Sequence, residues 1–226
     1  MKRILVNYEI NREIVEKLES FNLNVIYTTP NENLPEGLKG HPDLLVHQLP
    51  DGTMVVDKDN LDYYKKLFHD RKVIPSAKKI GSTYSEYVGL NSFCFGKYFV
   101  HNLSLTDDVL LEYYKRHNYI MVDVKQGYSK CSTFVGSNFL ITSDMGIFKK
   151  LRDKVRIFLI DPGQIKLKNY EYGFIGGASG KVFNYHYLTG NYSNHSSRET
   201  IARVARPIVL SKGELEDFGT LMEIYW

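Results

Sequence analysis

The sequence predicts an α/β fold, a five-bladed α/β propeller of ββαβ repeats with pseudo-fivefold symmetry, and three observations lead there. Amphipathic helical stretches recur five times along the 226 residues. Each is followed within a few residues by a β-branched or apolar strand, and the last four are preceded by two short strands around a tight turn. A repeat spacing of roughly 40 residues is in the range that signals propellers and solenoids.

Apolar residues spaced near i, i+3, i+4 mark helices at Arg12 to Ser20, Asn60 to Asp70, Asp107 to His117, Asp144 to Lys154 and Ser196 to Ala205. The strands that follow are Asn24 to Tyr27, Lys72 to Pro75, Tyr119 to Val122, Arg156 to Ile160 and Pro207 to Leu210. The paired strands ahead of the later helices are Leu44 to Val46 with Met54 to Val56, Phe93 to Phe95 with Tyr98 to Val100, Phe134-Val135 with Phe139 to Ile141, and Val182-Phe183 with Tyr187-Leu188.

Only the first unit lacks a strand. It has Ile4 to Val6 but no partner ahead of it, whereas the chain ends in an orphan strand-like segment, Thr220 to Tyr225. Pairing the two ends removes two open sheet edges, so the C-terminal strand is expected to complete the first blade and close the ring. The expected blades of this single domain are 1–39 with 217–226, then 40–90, 91–130, 131–178 and 179–216.

Hydrophobic residues at 43% and charged residues at 24% fit an ordinary globular chain and argue against disorder. The net charge of +3 is small, and lysines and arginines are scattered, so neither a nucleic-acid nor an acidic partner is implied. No apolar run reaches membrane-span length, and Met1-Lys2-Arg3 leads directly into strand-like Ile4-Leu5-Val6. A cytoplasmic location with no membrane association is therefore expected. Cys94 and Cys131 offer neither a disulfide framework nor metal-ligand spacing, which fits a reducing compartment. On that reading the sequons at Asn102, Asn191 and Asn194 stay unmodified.

Aligning the openings of the five blades gives the candidate site. They read His41-Pro42-Asp43, Asn91-Ser92-Phe93, Cys131-Ser132-Thr133, Ser179-Gly180-Lys181 and Asp217-Phe218-Gly219. A thiol, an imidazole and carboxylates are thus expected to converge, as guanidinium chemistry requires. Carboxylates hold the planar cation, a thiolate attacks its central carbon, and an imidazole moves the protons.

A ring of ββαβ blades resembles the pentein fold of the guanidino-group modifying enzymes, which include arginine and agmatine deiminases, dimethylarginine hydrolases and amidinotransferases. A eukaryotic initiation factor shares the fold without being an enzyme. The segments Gly40 to Asp43, Val124 to Ser132, Ile141 to Asp144 and Gly173 to Lys181 are similar to those of a small bacterial family of this fold. The enzymes carry a His-x-Asp motif at one blade opening and a nucleophilic cysteine two blades later. His41-Pro42-Asp43 opens the second blade and Cys131 the fourth, which keeps that relation if the chain is permuted by one blade. The pattern departs at the fifth blade, which opens with Ser179 where those enzymes carry the cysteine.

The resemblance implies Cys131 as nucleophile, His41 as general acid and base, and Asp43 with Asp217 gripping the cation. Asn91, Lys130, Ser132, Asp144, Gly177, Ser179 and Lys181 complete the candidate substrate-binding set. Lys130 and the polar, glycine-punctuated turn predict a lowered thiol pKa at Cys131. His41 and Asp43, two residues apart, are expected on one face of an extended segment. Each residue has a plainer reading. Cys131 could be a half-buried structural thiol, His41 a turn cap, Asp144 a helix cap, and Gly176 to Lys181 a tight turn. That glycine-rich stretch is not a Walker loop, because Ile175 and Val182 occupy its end positions.

Cys94, between Phe93 and Phe95, reads as a small buried hydrophobe, and His47 as peripheral. No metal or organic cofactor is expected. The reading is a cysteine-dependent hydrolase or transferase for a small guanidino or amidino compound; the alternative is a non-catalytic module binding a small ligand or a macromolecule.

Overall fold

A computed structural model describes residues 2–225, and 22 helices and strands follow one another in a nearly regular order. The chain begins with β1 (Lys2–Val6), α1 (Arg12–Glu19) and β2 (Leu23–Tyr27). It continues through α2 (Pro42–Leu45), β3 (Val46–Gln48), β4 (Met54–Val56), α3 (Leu61–Leu67) and β5 (Val73–Pro75). Next come α4 (Tyr84–Tyr87), β6 (Phe93–Phe95), β7 (Tyr98–His101), α5 (Asp108–Arg116) and β8 (Ile120–Asp123). The fourth group is β9 (Thr133–Val135), β10 (Leu140–Thr142), α6 (Met145–Leu151) and β11 (Ile157–Leu159). The last elements are β12 (Ser179–Val182), β13 (Tyr185–Leu188), α7 (Arg198–Ala205), β14 (Ile208–Val209) and β15 (Leu221–Ile224).

One pairing pattern recurs, an antiparallel hairpin whose second strand takes a parallel partner after a helical crossover. It is seen in β3-β4-β5, β6-β7-β8, β9-β10-β11 and β12-β13-β14. The first unit obtains it from both ends of the chain, since β15 pairs antiparallel with β1, Ile4 opposite Glu223, and β1 pairs parallel with β2. One feature differs from five separate small sheets. β12 also pairs parallel with β15, Gly180 with Leu221, which joins the first and last units into one six-stranded sheet. Gly180 permits this because a methyl group there would come within 2.5 Å of the Leu221 side chain and backbone.

The middle strand of each unit is buried on both faces, so its residues alternate between two cores instead of between core and water. Ile4 and Val6 join Ile14 and Leu18 of α1 together with Val182 and Tyr187, while Leu5 joins Tyr64 and Phe68 with Met54 and Val56. Val55 packs with Phe99, Leu110 and Tyr114; Val100 packs with Leu140, Ile147 and Leu151; Ile141 packs with Leu188 and Ile201. Each of these helices therefore lies between the middle strand of its own unit and that of the preceding one, and α1 lies against the last unit in the same way. The two helices with a carboxylate cap are α5, where Asp107 accepts from the Val109 amide, and α6, where Asp144 accepts from the Ile147 amide at 2.7 Å.

Two local expectations are corrected. The segment after His41 is not extended: Pro42–Leu45 forms a helical turn and the strand starts only at Val46. Proline at the first helical position presets φ, and it holds His41 in an extended conformation before the turn (φ −62°, ψ 112°). Leu44 and Leu45 are both buried, so their hydrophobicity could not distinguish turn from strand. At the other hairpin the strand covers Ser179–Val182, while Phe183 takes the left-handed conformation (φ 53°) and makes the turn.

Candidate active site

Three segments meet around one sulfur. The α2 turn brings His41, the loop before β9 brings Cys131, and the loop before β15 brings Asp217, all buried to 3% exposure or less. One nitrogen, one sulfur and one oxygen from these residues lie within 4.8 Å of one another. Cys131 Sγ is 3.6 and 3.5 Å from the two Asp217 oxygens, and His41 Nδ1 is 3.9 Å from Asp217 Oδ1.

Asp217 is held as an acceptor from several sides. Its Oδ2 accepts from the Phe174 amide at 2.8 Å, its Oδ1 accepts from the Gly219 amide at 2.9 Å, and its own amide donates to the Lys166 carbonyl at 2.8 Å. The carboxylate packs against Gly177, where a methyl group would overlap it. The Gly177 carbonyl in turn accepts from the Phe218 and Thr220 amides. Cys131 is positioned through its backbone: Asn91 Oδ1 accepts from the amides of Lys130 and Cys131 at 3.0 and 3.1 Å, and the Cys131 carbonyl accepts from the Gly177 amide. Asn91 is fully buried.

The His41–Cys131–Asp217 cluster forms the floor of a cavity of about 220 Å³. Its walls are Leu38, Tyr128, Leu167, Tyr170, Glu171, Tyr172 and Phe174. Asp43 approaches the Cys131 sulfur from another side. With Lys130 it lines a second cavity of about 170 Å³, and the helical turn between His41 and Asp43 is the reason the two do not share one face. Lys130 Nζ donates to Thr220 Oγ1 at 2.8 Å.

The electrostatics reverse the expectation of a lowered thiol pKa. Burial pushes the Cys131 thiol well above its ordinary value, and the charges of Asp217 and Asp43 push it further. Burial lowers the His41 imidazole against the opposing pull of Asp217, so this ring is neutral. Desolvation, then the nearby Asp217 charge, raises the Asp43 carboxyl to about 8. Lys130 is itself lowered by burial, against the opposing pull of Asp43, Cys131 and Asp217. Neither His41 ring nitrogen and neither Asp43 oxygen makes a hydrogen bond of ordinary geometry within the described residues.

The other expected site residues are dispersed. Asp144 caps α6 and accepts from Gln126 Nε2 at 3.2 Å, away from the cavity lining. Ser179 Oγ donates to the Gly176 carbonyl, Lys181 is half-buried on β12, and Ser132 is buried with an unpartnered hydroxyl. Gly177 serves the packing of Asp217 through its backbone. His47, expected at the periphery, is buried, its Nε2 2.8 Å from the Tyr114 hydroxyl. The cavity walls were missed in the sequence, although the alternating aromatic run Tyr170-Glu171-Tyr172-Gly173-Phe174 outside any strand was a readable signal. The short α4 was missed too, although Thr83 and Glu86 form a capping box.

An imidazole, a thiol and a carboxylate at this separation also make a ligand set of the kind zinc accepts, so His41, Cys131 and Asp217 are the described residues that could hold a metal ion.

A family model described as a family of unknown function, DUF6873, matches residues 5–222. The chain belongs to that family. A comparison with curated proteins finds no match. Among solved structures the DUF6873 chain is similar to dimethylarginine dimethylaminohydrolases at 12–14% identity. One is the Pseudomonas aeruginosa enzyme, a cysteine-to-serine mutant complexed with citrulline, at 13% identity and a TM-score of 0.55, covering 92% of this chain and 91% of that one. Another is a histidine-to-glycine variant as its adduct with S-methyl-L-thiocitrulline, at 14% identity and TM-score 0.54, with the same coverage. A third, an adduct with 4-chloro-2-hydroxymethylpyridine, covers 95% of this chain and 92% of its own at TM-score 0.54. The similarity spans nearly the whole of each chain and shows the mixed α/β fold of these enzymes, a pentein fold. No described helix is long and apolar enough to cross a membrane.

Proposed function

We propose that this protein is a cysteine-dependent C–N hydrolase or amidinotransferase acting on a small guanidino or amidino compound. The observation that carries the reading is the buried His41–Cys131–Asp217 cluster at the floor of a cavity in a fold shared with dimethylarginine dimethylaminohydrolases. We read the five units as blades of a closed ring and a single domain, with the bounds expected from the sequence. The helices wedged between successive units, α1 against the last included, support that arrangement.

In the empty site sulfur and imidazole are both neutral near pH 7, because burial disfavours either charge and Asp217 opposes a thiolate. A bound amidinium changes the balance. Its positive charge pairs with Asp217 and stabilises the thiolate electrostatically, so the Cys131 proton passes to His41. The thiolate then forms a bond to the central carbon. As the C–N bond to the leaving amine breaks, His41 returns the proton to that nitrogen. Water attacks the resulting S-amidino intermediate while His41 takes its proton, and collapse restores the thiol. In a transferase an amine takes the place of water. Asn91 holds the backbone that carries the sulfur, and Asp43, neutral near pH 7, borders the sulfur from the second cavity.

The test is amine or ammonia release from a panel of guanidines and amidines, with mass spectrometry of Cys131 after a haloacetamidine probe. Turnover by wild type, and its loss in Cys131→Ser, support the reading. The raised thiol favours a second one, a non-catalytic module that binds a small ligand or a macromolecule; it gains if ligands bind while Cys131 stays unmodified.

A further inference from the structure

Resting on the reading of this site as a pocket for guanidino or amidino groups, we propose that its ligand is an organic cation with an apolar or aromatic substituent and no carboxylate. The inference comes from the cavity walls rather than from the floor.

Three aromatic rings contact one another along the wall. Tyr128 and Phe174 lie 5.9 Å apart between centroids, and Tyr172 meets Phe174 edge-on at 6.2 Å. The Tyr128 hydroxyl is already engaged with that of Tyr87 at 2.7 Å, which leaves its ring as the surface offered to a ligand. Tyr170 and Tyr172 remain 40% exposed at the cavity, so apolar ring surface is still open to water. Aromatic faces attract cations through their quadrupole, and with aliphatic Leu38 and Leu167 they complement a hydrocarbon substituent.

The charges point the same way. Asp217 lies at the floor and Glu171 on the wall, and the described lining contains neither lysine nor arginine. Lys39 and Lys168, next in sequence to the lining residues Leu38 and Leu167, are each held by glutamates. Lys39 pairs with Glu32 at 2.7 Å and Glu36 at 3.3 Å, and Lys168 pairs with Glu9 at 3.0 Å. A ligand carboxylate would find no fork of donors here and would stand against like charge. The cavity, at about 220 Å³, is also below the roughly 300–1,000 Å³ of pockets for drug-sized ligands. A compact cation fits both the size and the sign.

The experiment is isothermal titration of the Cys131→Ser protein, which cannot consume its ligands, with L-arginine, L-argininamide and phenylguanidine. Argininamide keeps the guanidinium and removes only the carboxylate. The proposal expects argininamide and phenylguanidine to bind about tenfold or more tighter than arginine. Glu171→Gln should narrow the first preference, and Tyr172→Ala, at an exposed position, should weaken phenylguanidine several-fold. Arginine binding as tightly as argininamide overturns the proposal, as does phenylguanidine binding that ignores Tyr172→Ala. Chemistry is read separately on wild type. Cations that bind in this order without turnover leave the inference standing and sink the hydrolase reading. Preferred turnover of free arginine does the reverse, and failure of every cation to bind overturns both.

Discussion

Cys94 and Cys131 are both drawn away from water, yet only the Cys131 thiol is raised by carboxylates. Cys94 lies on β6 opposite Phe99, and burial alone pushes its thiol up to about 12, partly offset by the Tyr114 hydroxyl. Cys131 is raised by burial and then by Asp217 and Asp43. Near neutral pH the two look equally inert. They differ in what could change that. The carboxylate contribution at Cys131 is cancelled by a cation placed among those charges, whereas no carboxylate charge raises the Cys94 thiol and a cation has none to cancel there. On the hydrolase reading reactivity is conditional on the ligand's charge, so an unreactive thiol in the empty protein does not by itself decide between the two readings.

The largest effect expected from this contrast is on turnover. Cys131→Ala should reduce kcat/KM on the order of 10⁴-fold or more, and Cys94→Ala should leave it within about threefold, both read by amine release. Equal losses would break the contrast.

A smaller effect concerns Asp43. Its folded-state carboxyl is raised to about 8 from its ordinary value of 3.8, so the protonated form is preferred in the folded protein. The sign follows: this contribution to stability is present in full below about pH 4 and is lost as pH rises through about 8. Asp43→Asn should remove that slope, leaving the variant about 2–5 kcal/mol more stable than wild type at pH 9 and little changed at pH 4. Denaturant unfolding at both values measures it. The same variant should lower the Cys131 thiol pKa and leave that of Cys94 alone.

The smallest effect is expected for Asn91→Ala. It deprives the Cys131 amide of its buried acceptor and leaves the Lys130 amide only the Asn91 carbonyl, which should cost about 1–3 kcal/mol in unfolding free energy and lower kcat through a misplaced sulfur. A variant with unchanged stability and rate would show that Asn91 does not position Cys131.

Much of the repeat was readable because both of its signals are local. Helical periodicity at α1, α5 and α7, and β-branched runs such as Lys72 to Pro75, report directly on one face or one strand. The pairing of the chain ends was readable by counting strands. The parallel contact of β12 with β15 was not, since it depends on how closely two backbones approach at Gly180. The residue types of the candidate site were visible, but their arrangement was not. Pro42 turned an extended segment into a helical one and sent Asp43 toward the second cavity, and the aromatic wall comes from the loop of Leu167 to Phe174 between β11 and β12. The thiol's electrostatics were misread for a related reason. Lys130 is adjacent in sequence, but burial and two carboxylates brought from distant segments outweigh it.

On the proposed mechanism a bound cation switches Cys131 on. The pH dependence of alkylation of both cysteines, followed by mass spectrometry with and without a saturating, non-reacting guanidinium ligand in wild type, tests it most directly. The expected result is a fall of one or more pH units (about 1.4 kcal/mol for each) in the Cys131 profile on binding, lost in Asp217→Asn, with Cys94 unmoved. A Cys131 profile that stays with that of Cys94 while the ligand is bound would show that no such switch exists.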